Sequence, residues 1–288
     1  MTTLTSCFTC TVPYIVTDIV PTFPQCGAIL TVQHPSTVFF LTLHPSNATI
    51  HDKKLQLEGN ILGMKSVPNS ETCFLSISTQ TKVYLFQVNT NHSFSLVYFS
   101  DTAPNPTGAM SLVRDSHEWI FVHPSILKSS LIIRRKSSVP IMLENIHSQS
   151  ISKIECSLNH NTLFIATVSR SGRNVRVWVS SGNSAEKRAE FRRGASSASP
   201  MFLSFSPDAC FVGLSSSKSS VHLFSLVDHS HQVIKLSSFV SSPWLDSGSK
   251  LLWREGKLVL GVENDRKDKV MLLEWEENTC REVGLIEL

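Results

Sequence analysis

The fold is decided by alternating apolar and polar residues, which are clearest in one pair of segments. Residues 161–169 read NTLFIATVS and residues 174–178 read NVRVW, with a short polar turn between them. Successive side chains of a strand point to opposite faces, so this alternation is typical of a strand with one buried face. Turn-forming residues at both ends are typical of strands joined by tight connections. The pair therefore predicts two neighbouring antiparallel strands.

The same pattern recurs along the chain. Residues 203–224 repeat the arrangement of residues 154–178 at an offset of a little under fifty residues, and residues 63–98 form a weaker unit of the same kind. Repeats of this length are typical of β-propeller blades with about four strands each. Residues 185–193 have helix-forming composition but are too few and too poorly capped to predict a helix. We therefore expect an all-β, WD40-like β-propeller that forms a single domain over residues 1–288, with a β-sandwich as the competing architecture.

Two stretches fit this repeat less well. Residues 1–60 hold less than two blades' worth of strands, so we expect the first blade to be degenerate or incomplete. Residues 227–249 contain Pro243 and irregularly spaced apolar residues, a composition typical of a long surface loop with an apolar tip.

Composition limits the classes of partner. Hydrophobic residues make up 41% of the chain, charged residues 17%, and the net charge is +3. The apolar fraction is too high for a disordered chain, and the charge is too small for a general nucleic-acid binder, so any anion site must be local. No apolar run approaches the ~18 residues of a membrane span, and the first ten residues do not resemble a signal peptide. A membrane is therefore expected to be a partner only as a surface.

Metal and catalytic motifs are not recognisable. The seven cysteines are scattered, and the C-x-x-C of Cys7 and Cys10 has no second pair at similar spacing, so neither a zinc site nor a disulfide framework is predicted and a reducing, cytoplasmic location is expected. The sequence contains no G-x-S-x-G elbow, no H-E-x-x-H pair and no Gly-rich phosphate loop. We therefore expect no enzyme activity, no metal and no cofactor.

The most informative local feature is a pair of adjacent arginines in the segment Glu190–Gly194. Arg192 and Arg193 point to opposite sides if the strand is regular, so they can serve two neighbouring pockets but not one. A planar guanidinium group suits phosphate oxygens because it donates two parallel hydrogen bonds, and Gly194 allows close approach of the backbone. Taken alone, the segment is more typical of two solvated arginines on an edge strand.

The flanking repeats favour anion pockets instead. Hydroxyl and basic residues occupy corresponding turns on either side of the arginines: Ser169, Arg173 and Arg176 before them, and Ser215, Ser216, Ser220 and His222 after them. Hydroxyl groups can donate to phosphate and to sugar-ring oxygens, and histidine adds a partial charge near neutral pH. Each arginine is thus predicted to have its own cluster.

These motifs resemble those of the PROPPIN family, seven-bladed β-propellers that bind phosphoinositides. The family's F/L-R-R-G signature stands here as Phe191, Arg192, Arg193 and Gly194. Further similar segments follow in the family's order: PNPTG at 104–108, HSQSI at 147–151, ATVS at 166–169, VRV at 175–177, FSPD at 205–208 and VHLF at 221–224. The resemblance covers the chain from about residue 60 onward and implies a divergent member of the family, with seven blades.

The resemblance also implies two headgroup sites, for phosphatidylinositol 3-phosphate (PtdIns3P) and phosphatidylinositol 3,5-bisphosphate. One site would contain Arg192 with Ser169 and Arg176, with His147 as a further candidate, and Arg173 would either add a phosphate contact or block the pocket. The other would contain Arg193 with the hydroxyl and histidine residues that follow the motif, Ser215, Ser216, Ser220 and His222. The family's membrane-inserting loop corresponds to residues 227–242, with the apolar residues Val233, Ile234, Leu236, Phe239 and Val240.

The implied function is that of a monomeric, non-enzymatic, peripheral membrane protein of autophagy or endosomal trafficking. It would act on autophagosomal precursor, endosomal or vacuolar membranes with a protein partner, which in the family is a lipid-transfer rod protein. The alternative is a protein-interaction WD-repeat scaffold that has lost lipid binding, which the changed turn residues and the short loop favour.

Overall fold

The computed structural model describes residues 16–287 except for 22–26, 33–35, 45–46, 69–71, 92, 116–117, 219, 236–249, 255–256, 263–268 and 277–278. The chain divides into two compact units, Met1–Gly108 and Ala109–Leu288. No α-helix occurs among the residues that the structure describes.

The first unit contains two four-stranded antiparallel sheets. In each sheet the strands pair in the order in which they follow one another in the chain. The strands of the first sheet are β1 (Val16–Pro21), β2 (Gly27–Val32), β3 (Thr37–His44) and β4 (Asn47–Gln56), and those of the second are β5 (Gly63–Pro68), β6 (Cys73–Ser78), β7 (Lys82–Val88) and β8 (Phe94–Asp101).

The second unit contains four sheets of the same topology. The first has β9 (Ser111–Asp115), β10 (Glu118–Pro124), β11 (Leu131–Arg135) and β12 (Ile141–Leu143), and the second has β13 (Ile151–Asn159), β14 (Thr162–Ser169), β15 (Asn174–Ser181) and β16 (Ser184–Arg192). The third has β17 (Pro200–Phe205), β18 (Phe211–Ser216), β19 (Ser220–Ser225) and β20 (His231–Lys235), and the fourth has β21 (Lys250–Arg254), β22 (Lys257–Val262), β23 (Lys269–Glu276) and β24 (Thr279–Glu287).

These sheets have the form of propeller blades. The segments at 161–169 and 174–178 are the antiparallel pair β14 and β15, as their alternation predicts. The weaker repeat at 63–98 is the sheet β5 to β8. Within the described part of the chain there are six four-stranded sheets where seven blades were expected, and residues 16–56 account for one of them.

One segment has a structure that its composition left open, and another differs from its sequence-based interpretation. Residues 184–192, with their helix-forming composition, form strand β16 because pairing with β15 and burial of Ala189 and Phe191 outweigh local helix propensity. The expected loop at 227–242 contains β20, which pairs with β19, so Val233 and Ile234 lie in a strand and the loop prediction was wrong there. Irregular apolar spacing did not reveal this strand because its pairing depends on the neighbouring edge and not on an alternation of its own. Leu236, Phe239 and Val240 lie outside the described residues.

A buried cluster between the second and third sheets of the second unit fixes the double-arginine segment. Phe191 is buried, and its ring stacks on Phe224 with a centroid separation of 5.0 Å. Leu203, Val212 and Leu214 belong to the same cluster. Because Phe191 is anchored in this core, the backbone of the next residues has a defined direction as it leaves β16.

Candidate anion-binding site

Arg192 and Arg193 have different surroundings at the end of β16. Arg192 is exposed and lines an open cleft, whereas Arg193 is buried, with 7% of its surface exposed. The backbone N–H of Arg193 donates to the carbonyl of Arg173 at 2.7 Å, which extends the pairing of β16 with the turn before β15. The two guanidinium groups therefore do not share one cavity.

The cleft beside Arg192 has a volume of about 550 Å³. It brings together four of the predicted residues with Arg192, and it adds six that sequence reasoning missed. The predicted ones are His147, Ser169, Arg173 and Arg176, and the added ones are Ser148, Gln149, Ser171, Asn174, Ala195 and Ser197. Several of the added residues directly adjoin predicted ones, so the turn segments around the predicted residues were the signal that could have revealed them.

A glycine shapes the turn between β14 and β15, from which Arg173 projects. Gly172 has φ of +61°, and a Cβ atom there would lie 2.0 Å from the carbonyl oxygen of Ala198, so only glycine fits. The Gly172 N–H donates to the carbonyl of Ser169 at 2.9 Å, and the Ala198 N–H donates to that of Ser171 at 3.0 Å. These bonds hold the turn against the segment that follows the double arginine, and the cleft lies where the two meet.

The three arginines of the cleft differ in their pairing. The Nη2 of Arg176 lies 2.8 Å from Oε1 of Glu190, and its Nη1 donates to the carbonyl of Ile146. The hydrogen bond from Arg176, with help from Lys187, lowers the pKa of Glu190 to about 2. Among the described residues, the guanidinium groups of Arg173 and Arg192 form no ion pair. The charges of Arg173 and Arg192 therefore remain available to an anion.

His147 forms a neutral wall of the cleft. Its Nε2 lies 3.0 Å from Oγ1 of Thr167, which donates to the carbonyl of Arg176 and accepts from Nε1 of Trp178. Burial, with a smaller effect of the Arg176 charge, lowers the pKa of His147 to about 4. At neutral pH this side chain can therefore exchange hydrogen bonds with a ligand but does not add a positive charge.

Three of the residues predicted around Arg193, namely Ser216, Ser220 and His222, are buried and joined by hydrogen bonds. Oγ of Ser220 lies 3.3 Å from Oγ of Ser216 and 2.9 Å from Nε2 of His222, whose Nδ1 lies 3.0 Å from Nε2 of His231. Burial, followed by the charges of His231 and Arg193, lowers the pKa of His222 to about 4. His231 was missed by sequence reasoning because its strand, β20, was interpreted as a loop.

Arg193 and Ser215 are engaged by the backbone. Nε of Arg193 donates to the carbonyl of Gly172 and Nη2 donates to that of Ser196, each at 2.5 Å, and burial lowers the pKa of Arg193. Oγ of Ser215 accepts a hydrogen bond of 3.1 Å from the N–H of Phe202. This network therefore uses its polar groups to hold the protein together, unlike the open cleft beside Arg192.

The described residues include no helix with the length and hydropathy of a membrane span. Among those residues, no group of three or more His, Cys, Asp or Glu side chains is placed to hold a metal ion.

Comparison with known proteins gives sequence relatives and structural neighbours, although no protein-family model matches the chain. SVP1-like protein 2 of Schizosaccharomyces pombe is 29% identical over 192 residues, which cover 65% of this chain and 49% of that protein. Autophagy-related protein 18 of Neosartorya fischeri is 25% identical over 191 residues, which cover 59% of this chain and 43% of that protein. The chain thus spans about half the length of the curated relatives it matches.

Solved structures agree in fold. Kluyveromyces lactis Hsv2 superposes with a TM-score of 0.63 at 14% identity, covering 95% of this chain and 99% of that one. KlAtg21, solved in complex with the coiled coil of AgAtg16, superposes with a TM-score of 0.73 at 14% identity, covering 97% and 87%. The fold is therefore an all-β propeller of four-stranded sheets. Together with the named sequence relatives, this fold supports the resemblance of the chain to a divergent member of the PROPPIN family.

Proposed function

We propose that this chain is a non-enzymatic, phosphoinositide-binding peripheral membrane protein that acts in autophagy or endosomal membrane trafficking. PtdIns3P and phosphatidylinositol 3,5-bisphosphate are the proposed ligands. The observation that carries the proposal is the cleft of about 550 Å³ with the guanidinium groups of Arg173 and Arg192 on its walls, neither of which forms an ion pair within the described ranges. The names of the sequence relatives, among them Autophagy-related protein 18, support the proposed process.

The chemistry of the cleft suits a phosphorylated sugar ring. Guanidinium groups bind phosphate oxygens through two parallel, charge-assisted hydrogen bonds, which Arg173 and Arg192 can donate. The hydroxyls of Ser169 and Ser171, which lie 3.1 Å apart, can bond to phosphate or to ring hydroxyls. A neutral His147 offers a further hydrogen-bonding contact without charge. The cleft volume falls within the range of small-molecule sites.

Membrane attachment would combine this cleft with weaker contacts. The Arg193 network would bind a second headgroup only by exchanging some of its internal hydrogen bonds, so we assign the larger part of lipid binding to the Arg192 cleft. Val233, at 48% exposure, is an apolar contact on β20. Several weak contacts on one surface add by effective concentration and would hold the protein on autophagosomal precursor, endosomal or vacuolar membranes.

A protein partner belongs to the same proposal. KlAtg21 was solved with the coiled coil of AgAtg16, which supports an autophagy protein as partner for this chain. The lipid-transfer rod protein implied by the family resemblance has no support from the comparisons.

A second candidate function is a protein-interaction scaffold without lipid binding. Two observations favour it: Arg193 donates to two backbone carbonyls of its own chain, and a structural neighbour was solved with a coiled coil. The two candidates differ in whether the cleft arginines are needed for membrane binding.

Liposome co-sedimentation separates these functions. The Arg173→Ala/Arg192→Ala double variant should bind vesicles containing PtdIns3P at least tenfold more weakly than the unchanged protein, because two positive charges are removed from the cleft. Arg188→Ala removes one positive charge from an exposed position of β16 outside the cleft, and its binding should stay within twofold of the unchanged protein. Equal binding by the double variant and the unchanged protein would exclude the proposed headgroup function of the cleft and favour the scaffold. Thin-layer chromatography of the same samples should show unaltered lipid, whereas turnover would contradict the non-enzymatic assignment.

A further inference from the structure

A second polar cleft, of about 500 Å³, lies beside the first in the same unit. Its cations are Lys128 and Arg170, and Ser150 and Ser199 also line it. Gln149, Ser171 and Ser197 line both clefts. The two clefts are therefore continuous along one surface, and a body that covers the first can reach the second.

Backbone hydrogen bonds fix the walls of this second cleft. The Arg170 N–H donates to the carbonyl of Ser150 at 3.0 Å, and Oγ of Ser129 donates to the carbonyl of Gln149 at 2.7 Å. The carbonyl of Ser129 in turn accepts from the N–H of Ile146 at 2.9 Å. The turn between β10 and β11 and the turn between β14 and β15 are thus both joined to the segment between them.

The cations of the second cleft are available to an external anion. Lys128 and Arg170 are both exposed, and in the described parts of the chain neither forms an ion pair with a carboxylate. Because Lys128 and Arg170 lie on two separate turns, they are suited to bind a phosphate group that is presented at a surface.

Apolar residues adjoin one of these cations at the tip of the turn between β10 and β11. Ile126 is 67% exposed and Leu127 is 47% exposed, directly before Lys128. The turn is held by a hydrogen bond of 2.8 Å from the Ser125 N–H to the Ser130 carbonyl and one of 3.1 Å from the Leu127 N–H to Oγ of Ser125. Exposed apolar side chains next to a cation are suited to the boundary between lipid headgroups and acyl chains.

We propose that Ile126, Leu127, Lys128 and Arg170 form an accessory membrane contact for ordinary anionic phospholipid, separate from the headgroup cleft. Lys128 and Arg170 bind the phosphate of a neighbouring anionic lipid, while Ile126 and Leu127 enter the interface. An anionic bilayer fits because it presents phosphate and apolar surface side by side, matching the order of residues in this turn. The inference rests on the proposed function because both contacts need the same membrane surface. It does not depend on recognition of the 3-phosphate.

The test uses the full chain and three kinds of vesicle: neutral lipid with PtdIns3P, neutral lipid with phosphatidylserine, and neutral lipid with both. A juxtamembrane cation contributes about fivefold to binding of an anionic surface, so Lys128→Gln/Arg170→Gln should weaken binding to phosphatidylserine vesicles by more than tenfold. The same variant should stay within twofold on neutral vesicles with PtdIns3P. Ile126→Ser/Leu127→Ser should weaken binding to all three vesicles severalfold but leave binding of a soluble short-chain PtdIns3P unchanged.

Matched controls lie on the next turn of the same sheet. Lys136→Gln and Val139→Ser remove an exposed cation and an apolar side chain that is 77% exposed, and both should leave vesicle binding within twofold. If these controls lose as much vesicle binding as the test variants, the effect is one of general charge or hydropathy, and the inference fails.

Free phosphate and membrane lipid are distinguished by a further arm. If inorganic phosphate binds in the second cleft while the Ile126→Ser/Leu127→Ser variant binds vesicles normally, the cleft is a site for a soluble anion. That result would overturn the proposal. If Arg173→Ala/Arg192→Ala changes nothing on PtdIns3P while binding to phosphatidylserine still depends on Lys128 and Arg170, the proposed headgroup function fails and the accessory contact stands.

Discussion

The cleft beside Arg192 and the network around Arg193 begin at adjacent residues but differ in what their polar groups do. Beside Arg192, two of three guanidinium groups have no ion pair among the described residues and line an open volume. Around Arg193, the guanidinium group donates to two backbone carbonyls, and the neighbouring serines and histidines bond to one another. One side of the strand end leaves positive charge available to an anion, and the other uses its polar groups within the fold.

This difference shows that a signature of two identical residues does not give two identical sites. Strand geometry sends the side chains to opposite sides, and each then takes its character from its neighbours. An arginine that donates to buried carbonyls has already used the directed donors that would otherwise bind phosphate. We therefore expect the two arginines to give opposite results in measurements of stability and of binding.

The largest effect should come from replacing the buried arginine. Arg193→Met leaves the carbonyls of Gly172 and Ser196 without their donor, which should lower the free energy of unfolding by about 2–4 kcal/mol. Arg192→Met changes an exposed side chain and should lower it by less than about 0.5 kcal/mol. Urea denaturation of both variants measures the contrast. Equal losses would mean that the two arginines have the same structural role.

An intermediate effect concerns pH. His147 and His222 have pKa values of about 4 in the folded protein against an ordinary value of 6.5. Between these values the unfolded chain binds protons that the folded protein does not, so stability should be complete above about pH 6.5 and decrease as pH falls toward 4. Each histidine contributes at most about 1.4 kcal/mol per pH unit in that window.

Urea midpoints between pH 7 and pH 5 test this dependence. His147→Gln and His222→Gln should each reduce the slope of the unfolding free energy against pH by the contribution of one proton. A soluble short-chain PtdIns3P should reduce the slope further in His222→Gln but not in His147→Gln, because a phosphate in the cleft favours a charged imidazole only at His147. The same response in both variants would contradict the separation of the two sides.

The smallest effect should come from the acid that pairs with Arg176. Glu190→Gln removes a negative charge from the edge of the cleft and leaves Arg176 available, so binding of short-chain PtdIns3P should strengthen severalfold. The gain should shrink between 50 and 150 mM salt because these charges are partly exposed. Calorimetry measures this binding. The control is Glu186→Gln, at an exposed position on the same strand, which should not change binding. Weaker binding in Glu190→Gln would mean that the pair orients Arg176 for the ligand.

Sequence patterns located most of what depends on short-range geometry. The alternation at 161–169 and 174–178 predicted β14 and β15, and the adjacency of Arg192 and Arg193 predicted that they would not share a cavity. Strand β20 was not predicted because five residues with irregular apolar spacing become a strand only beside the edge of β19. His231 lies in this strand and was therefore not predicted either.

By itself, the sequence determined the strand repeat and the opposite directions of the two arginines, because the period-two alternation of a strand is a property of the local backbone. Only the tertiary structure decided which arginine is available. The carbonyls of Gly172 and Ser196 come within reach of Arg193, and Glu190 within reach of Arg176, through the pairing of β15 with β16 and the packing of the following turns. Desolvation and ion pairing depend on groups that the fold brings together, and no local pattern of residues specifies them.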